Sequence, residues 1–270
     1  MSGVLKYVSK LQSKRVLVVG GTSGMGFCIA EAALEHGARV VVSGHSPEKM
    51  AHALDRLRKV RTDAADSEEN PVVSGTLCDL AQPSTLETNL DKLLRFATAD
   101  GTRKLDHVAY TAGDAVKIIP VAEATPDDVT RNFTVRVTGP IMLAKILPKY
   151  QNQSHTSSLT LTSGVNSTKP TPRWSIAASV GSATEGLARG LANDLKPVRV
   201  NVVSPGAVHT ELFDSIDKDK LEGVLANMAK ATLTGTVGKP EDLAEAYIYC
   251  MKDNYVTGTI LHSNGGRLLV

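Results

Sequence analysis

The segment Gly20-Gly21-Thr22-Ser23-Gly24-Met25-Gly26 constrains this chain more than any other. It follows the short apolar run 16–19. It precedes a stretch, 24–36, in which Ile29, Ala30, Ala33 and Leu34 recur at helical spacing before Gly37 supplies a stop. Glycines between a strand and a helix let the chain turn tightly and bring backbone N–H groups against a pyrophosphate at the helix N-terminus. The last of them lets the helix pack closely on the strand. Glycine spacing alone is a weak signal, and its place between strand and helix is what strengthens it.

The remainder continues the alternation. Strands are expected at 39–42, 72–77, 105–110, 159–162, 198–203 and 258–261, and helices at 47–61, 83–98, 127–150, 174–195 and 240–251. Pro47 suits a first helical turn, and the polar, acidic stretch 62–70 reads as a surface loop. Residues 207–238 form the one long excursion between elements, with two short helix-like pieces, where a substrate lid would sit. Alternation of this kind implies an α/β fold: a Rossmann-type, doubly wound parallel sheet of about seven strands with helices on both faces. With no internal repeat or low-complexity tract, 1–270 is expected to be one domain.

Composition narrows the function classes. A net charge of +2 over 270 residues gives no basic surface for nucleic acid or an anionic membrane. No apolar run reaches the ~18 residues of a membrane span, and the first eleven residues lack the apolar core of a signal peptide. The expected location is cytoplasmic. Cys28, Cys78 and Cys250 are odd in number and far apart, which suits free thiols and gives no metal spacing. Cys28 and Cys78 stand in apolar stretches and are expected in the core.

Four motifs in order carry a resemblance to the short-chain dehydrogenase/reductase family over nearly the whole chain. The glycine turn is the first. Cys78-Asp79-Leu80 resembles the segment that contacts adenine after strand three. Thr111-Ala112-Gly113 resembles the tail of the family's Asn-Asn-Ala-Gly motif, with Tyr110 and Thr111 in the Asn positions. Ser204-Pro205-Gly206-Ala207-Val208-His209-Thr210 resembles the loop that holds the nicotinamide carboxamide. The resemblance implies a nicotinamide cofactor held by Gly20, Thr22, Ser23, Gly24, Met25, Gly26, Asp79, Leu80, Ala112, Gly113, Pro205, Gly206, Val208 and Thr210. NAD-specific folds place an acid about 20 residues beyond the glycine turn, on the ribose 2′-hydroxyl. Gly44 stands there in this chain, between Ser43, His45 and Ser46, which can donate hydrogen bonds to a 2′-phosphate. NADP(H) is therefore the expected cofactor.

The family's proton-transfer pair is missing. Ordinary members use Ser, Tyr and Lys, the last two as Tyr-x-x-x-Lys on the helix after strand five. Aligning Glu185-Gly186-Leu187-Ala188-Arg189-Gly190-Leu191-Ala192 puts Ala177 at the Tyr position and Gly181 at the Lys position. Arg136, in Arg136-Val137-Thr138-Gly139, takes the place of a catalytic Asn, and Ser163 matches the catalytic Ser. Carbonyl reduction makes an alkoxide that needs a proton, and general acid catalysis is typically worth about 10²–10⁴-fold. An iminium is already cationic, and hydride addition leaves a neutral amine. Asp114, directly after Gly113, is the expected carboxylate beside such a cation, paired with Arg136; a structural ion pair replacing the lost Asn network is the alternative. Asn166, Arg173 and Trp174 lie on or beside the loop after strand five, and Asn166 and Trp174 are expected pocket residues, although Trp174 could equally be a packed helix-start aromatic.

These losses beside retained cofactor motifs resemble a divergent, largely fungal branch of the family. It includes bifunctional reductase/Diels–Alderases that build bicyclo[2.2.2]diazaoctane indole alkaloids. The resemblance implies reduction of an imine-type intermediate and an intramolecular Diels–Alder closure in one pocket. Two alternatives stay open: a cyclase that keeps NADP⁺ as a structural or electrostatic aid, and a non-catalytic NADP(H)-binding sensor or scaffold. The long helices at 127–150 and 174–195 form the dimer interface in relatives, so a homodimer or homotetramer acting on a small molecule is expected.

Overall fold

The computed structural model describes residues 5–61, 67, 70–113, 118–213 and 217–270. Seven parallel strands form one sheet in the order β3-β2-β1-β4-β5-β6-β7. They are β1 (Arg15–Val19), β2 (Arg39–Gly44), β3 (Val73–Leu77), β4 (His107–Tyr110), β5 (Ser158–Thr162), β6 (Arg199–Pro205) and β7 (Ile260–Ser263). The helices are α1 (Gly24–Glu35), α2 (Pro47–Val60), α3 (Leu86–Thr98), α4 (Pro126–Phe133), α5 (Gly139–Ile146), α6 (Ser175–Asp194), α7 (Lys218–Lys230) and α8 (Pro240–Lys252). This is the doubly wound architecture that the alternation implies.

Strand β1 shows why both faces are covered. Side chains alternate along a strand, so Val16 and Val18 enter the core shared with Ile29, Ala33, Tyr247 and Ile248, from α1 and α8. Leu17 and Val19 enter the opposite core with Leu90 and Leu94 of α3 and Leu143 of α5. A strand buried on both sides must be apolar throughout, which is why 16–19 reads as an unbroken run. At the amino end of the sheet the buried His107 shares a hydrogen bond of 2.9 Å between its Nδ1 and Ser158 Oγ. Burial holds this imidazole well below the ordinary histidine range.

The expected single helix at 127–150 is interrupted. Between α4 and α5 the chain makes a π-helical turn, Thr134–Thr138, and a short 3₁₀ turn, Leu147–Lys149, follows α5. Pro140 accounts for part of this. It has no N–H, so it cannot donate to the Arg136 carbonyl four residues back; Thr184 Oγ1 of α6 donates to that oxygen at 3.4 Å instead. The Gly139 N–H donates to Thr134 O, and the Tyr110 hydroxyl donates to Val135 O at 2.7 Å. Gly139 makes room for that hydroxyl, because a Cβ there would lie 2.2 Å from it.

Cys78 and Cys250 are buried, as expected of the first, but Cys28 is only partly so, packed against the core from α1. Residues 62–66, 68–69 and 114–117 lie outside the described residues, so most of the expected loop at 62–70 and the whole of Asp114 do too.

Candidate active site

In the sheet order β1 has β2 on one side and β4 on the other, so the chain reverses direction of winding between β1 and β4. The carboxyl ends of strands at such a point diverge into a crevice. A cleft of about 990 Å³ opens there, lined by the ends of β1, β4, β5 and β6 and by the segment after β6. That volume is at the upper end of the ~300–1,000 Å³ usual for small-molecule and cofactor sites.

One end of the cleft is the glycine turn. The N–H groups of Gly20 and Gly21 both donate to Ser43 O, at 3.0 and 2.9 Å. Gly20 has φ of 88°, and a Cβ on it would meet the Ala112 backbone at 2.7 Å. A Cβ on Gly26 would lie 2.0 Å from Gly20 O. The turn is thus packed at backbone contact against the β4 end and against itself, which leaves the first N–H groups of α1 open to the cleft. This cradle fits a pyrophosphate. Gly20, Thr22, Ser23, Gly24, Met25, Gly26, Asp79, Leu80, Ala112, Gly113, Pro205, Gly206, Val208 and Thr210 all line the cleft.

Ser43 and His45 line the cleft, but Ser46 does not. Its Oγ accepts from Lys49 N at 3.3 Å, capping α2. Lys49, which the sequence reading missed, lines the cleft beside His45. Only the packing of α2 on β2 brings it there. Gly44 is hemmed in by Thr22, whose Oγ1 would be 2.6 Å from an added Cβ, so an acidic side chain at this position would have to displace Thr22.

At the other end Arg136, Ser163, Asn166 and Trp174 line the cleft together, while Arg173 is exposed and outside it. Arg136 sits in the π turn, a feature that often marks functional sites. Its guanidinium packs on Gly113: a Cβ there would lie 2.4 Å from Cζ. Ser163 Oγ donates to Glu185 Oε1 of α6 at 3.0 Å, and Ser167 Oγ makes a second hydrogen bond to the same oxygen. Asn166 Oδ1 accepts from Thr171 N at 3.3 Å. Beyond them Phe213, Val224, Met228 and Ala231 supply an apolar wall from the 207–238 excursion.

Proton donors are scarce at this end. Ser167 packs tightly on the Gly181 side of α6, its Cβ 3.0 Å from where a Cβ on residue 181 would be. None of the chain's six tyrosines lines the cleft. The two nearest in chemistry are committed: Tyr110 to Val135 O, and Tyr247 to Thr162 Oγ1 at 2.6 Å. Burial pushes both phenols above the ordinary tyrosine range. Tyr150 donates to Asp91 Oδ1 at 2.8 Å, and neither lines the cleft. The Cys78 thiol borders the cleft, and burial pushes it up to about 11. Among the described residues no group of three or more His, Cys, Asp or Glu could hold a metal ion, and no helix is long and apolar enough to cross a membrane.

Comparison with known proteins is consistent from sequence to structure. The family described as an SDR-like Rossmann domain matches residues 7–270. The chain is 44% identical to the short-chain dehydrogenase/reductase malC of Malbranchea aurantiaca, over 96% of each chain. It is 40% identical to the short-chain dehydrogenase/reductase ucsE of an Acremonium species, over 96% of this chain and 97% of the relative. The solved structure of the MalC reductase/Diels–Alderase from Malbranchea aurantiaca superposes with a TM-score of 0.90 at 43% identity, covering 98% of this chain and all of that one.

Proposed function

From the premise that this chain belongs to the short-chain dehydrogenase/reductase family, we propose that it is an NADP(H)-dependent reductase of a C=N bond, acting on an imine or iminium intermediate of alkaloid metabolism. The observation that carries the proposal is the pairing of a dinucleotide cradle with a position that holds no proton-delivery pair: Ala177 and Gly181 stand where the family has Tyr and Lys, and Ser167 packs closely at residue 181. When bound, the reduced nicotinamide supplies a hydride. The residues of this chain do the rest. Gly20, Gly24 and Gly26 shape the pyrophosphate site, and His45 and Lys49 receive the 2′-phosphate. Asp114, next in sequence to Gly113, is the carboxylate for the substrate cation, with Arg136 lining the cleft beside Gly113. Trp174 and the apolar wall of the 207–238 lid exclude water from the reacting face.

A second activity in the same cleft, intramolecular Diels–Alder closure, is supported by the likeness to a protein named as a reductase/Diels–Alderase. Such a closure needs a shaped apolar cavity and no proton donor, which fits this lining. The enzyme acts as a homodimer or homotetramer packed through α4, α5 and α6. The test is turnover with NADPH of dihydroisoquinolinium, a bicyclic iminium, against tetralone, a ketone of similar shape. Iminium reduction at least about 10²-fold faster, the worth of a missing general acid, supports the proposal. Equal rates would overturn it.

A further inference from the structure

Ser163 in this chain is not arranged as a hydrogen-bond donor to substrate. It lines the cleft at the end of β5, yet its hydroxyl donates backwards, to Glu185 Oε1 at 3.0 Å. Glu185 is buried, with 8% of its surface exposed, and does not itself line the cleft. A carboxylate is acceptor-only, so both serines on Oε1 must give it their protons. A serine whose proton is held in this way shows only lone pairs to its other neighbours.

The Ser167 half of this arrangement goes with Gly181. One helical turn before Glu185, the missing side chain lets the turn Val165–Ser167 settle on α6, with Ser167 Cβ 3.0 Å from the position a Cβ on residue 181 would take. That approach puts Ser167 Oγ on Glu185. The residue that cannot carry a Lys thus also admits a second donor to the carboxylate, beside Ser163.

We infer that Glu185 is a positioning residue that turns Ser163 into an obligatory hydrogen-bond acceptor, so that the cleft selects substrates presenting an N–H at the reacting centre over those presenting a carbonyl oxygen. A carbonyl oxygen would face the Ser163 lone pairs with no proton between them. A protonated imine would donate its N–H to Ser163 Oγ, with the Glu185 charge directly behind. The inference rests on the C=N reading above and names the form of the C=N group.

Binding measures this without turnover. Trp174 is the chain's one tryptophan and lines the same cleft, so its fluorescence reports titrations of the NADP⁺ complex. Three probes suffice: dihydroisoquinolinium, which has the N–H; its N-methyl salt, which has the charge without the N–H; and tetralone. The wild type should bind the N–H cation about tenfold more tightly than the N-methyl cation, the worth of one charge-assisted hydrogen bond. In Glu185→Gln the amide NH₂ can donate to Ser163 and free its proton, and the discrimination should fall to within about twofold, as it should in Ser163→Ala. Ser167→Ala removes a partner of Glu185 but leaves Ser163 in place, and should keep the discrimination. If Glu185→Gln folds, binds NADP⁺ and still prefers the N–H cation tenfold, the positioning role is refuted. If Ser167→Ala loses the preference along with Glu185→Gln, Glu185 only braces the turn, and the inference fails. If the wild type prefers tetralone to both cations, the C=N reading itself falls.

Discussion

Replacing Gly113 with Ala moves Arg136 and little else. A Cβ at Gly113 would lie 2.4, 2.5 and 2.6 Å from Cζ, Nη1 and Nη2 of Arg136. Ordinary contact begins at 3.4 Å, so the guanidinium must retreat by about 1 Å. The obstructing atoms are the far end of a flexible side chain, and Gly113 is not among the glycines with positive φ. The cost in stability should therefore stay within about 1 kcal/mol. A displacement of that size at a positioned catalytic group can lower turnover by about 10²-fold. Thermal unfolding, NADPH titration and NADPH-dependent reduction of dihydroisoquinolinium separate these effects. The expected result is a nearly unchanged melting temperature, NADPH affinity within about threefold, and turnover reduced by at least about tenfold. A Gly113→Ala variant that melts normally, binds NADPH normally and keeps the wild-type rate would show that the position of Arg136 does not matter to catalysis.

Three further outcomes follow from the geometry. Lys49→Ala should weaken NADPH by about tenfold, as loss of one charge-assisted contact implies, and leave NADH unchanged by calorimetric titration; equal weakening of both would place Lys49 away from the 2′-phosphate. Ala177→Tyr with Gly181→Lys should fail to raise tetralone reduction toward the ~10²–10⁴-fold that a general acid brings, because Ser167 occupies the space beside residue 181; a gain of that size in a steady-state assay would mean that the turn yields. His107 is held neutral by burial, with its folded pKa below the ordinary 6.5, so its contribution is complete above pH 6.5 and is lost as pH falls below it. Denaturant melts should show stability declining by up to about 1.4 kcal/mol per pH unit for this one proton, and His107→Gln should flatten the slope; an unchanged slope would assign acid unfolding to other groups.

The parts of this protein that obey local rules were legible in its sequence. The glycine turn, the unbroken strand at 16–19 and the alternation of strands with helices follow from backbone freedom and burial, and they place the crevice and much of its lining. What depended on how elements meet was not legible. Lys49 reads as a solvated helix residue until α2 is laid on β2. That the Ser46 oxygen also caps this helix, accepting from Lys49 N, shows only once α2 is formed. Pro140 is visible inside a helical pattern, but the π turn also needs Tyr110 and Thr184, brought from β4 and α6, to take the Val135 and Arg136 carbonyls. Glu185 reads as one residue of an amphipathic helix, and only the descent of Ser163 and Ser167 onto it reveals a buried carboxylate with two donors. Cys28 reads as core and lies at its margin.

The central claim is that this cleft moves a hydride to carbon without a protein acid supplying the proton. Single-turnover reduction of the N-methyl dihydroisoquinolinium salt by NADPH deuterated at C4 tests it most directly, since that cation can neither gain nor lose a proton at nitrogen. The account predicts deuterium at the former iminium carbon and a rate flat from about pH 6 to about pH 9, with tetralone slower by at least about 10²-fold throughout. A bell-shaped rate, or tetralone reduced as fast as the iminium, would contradict it.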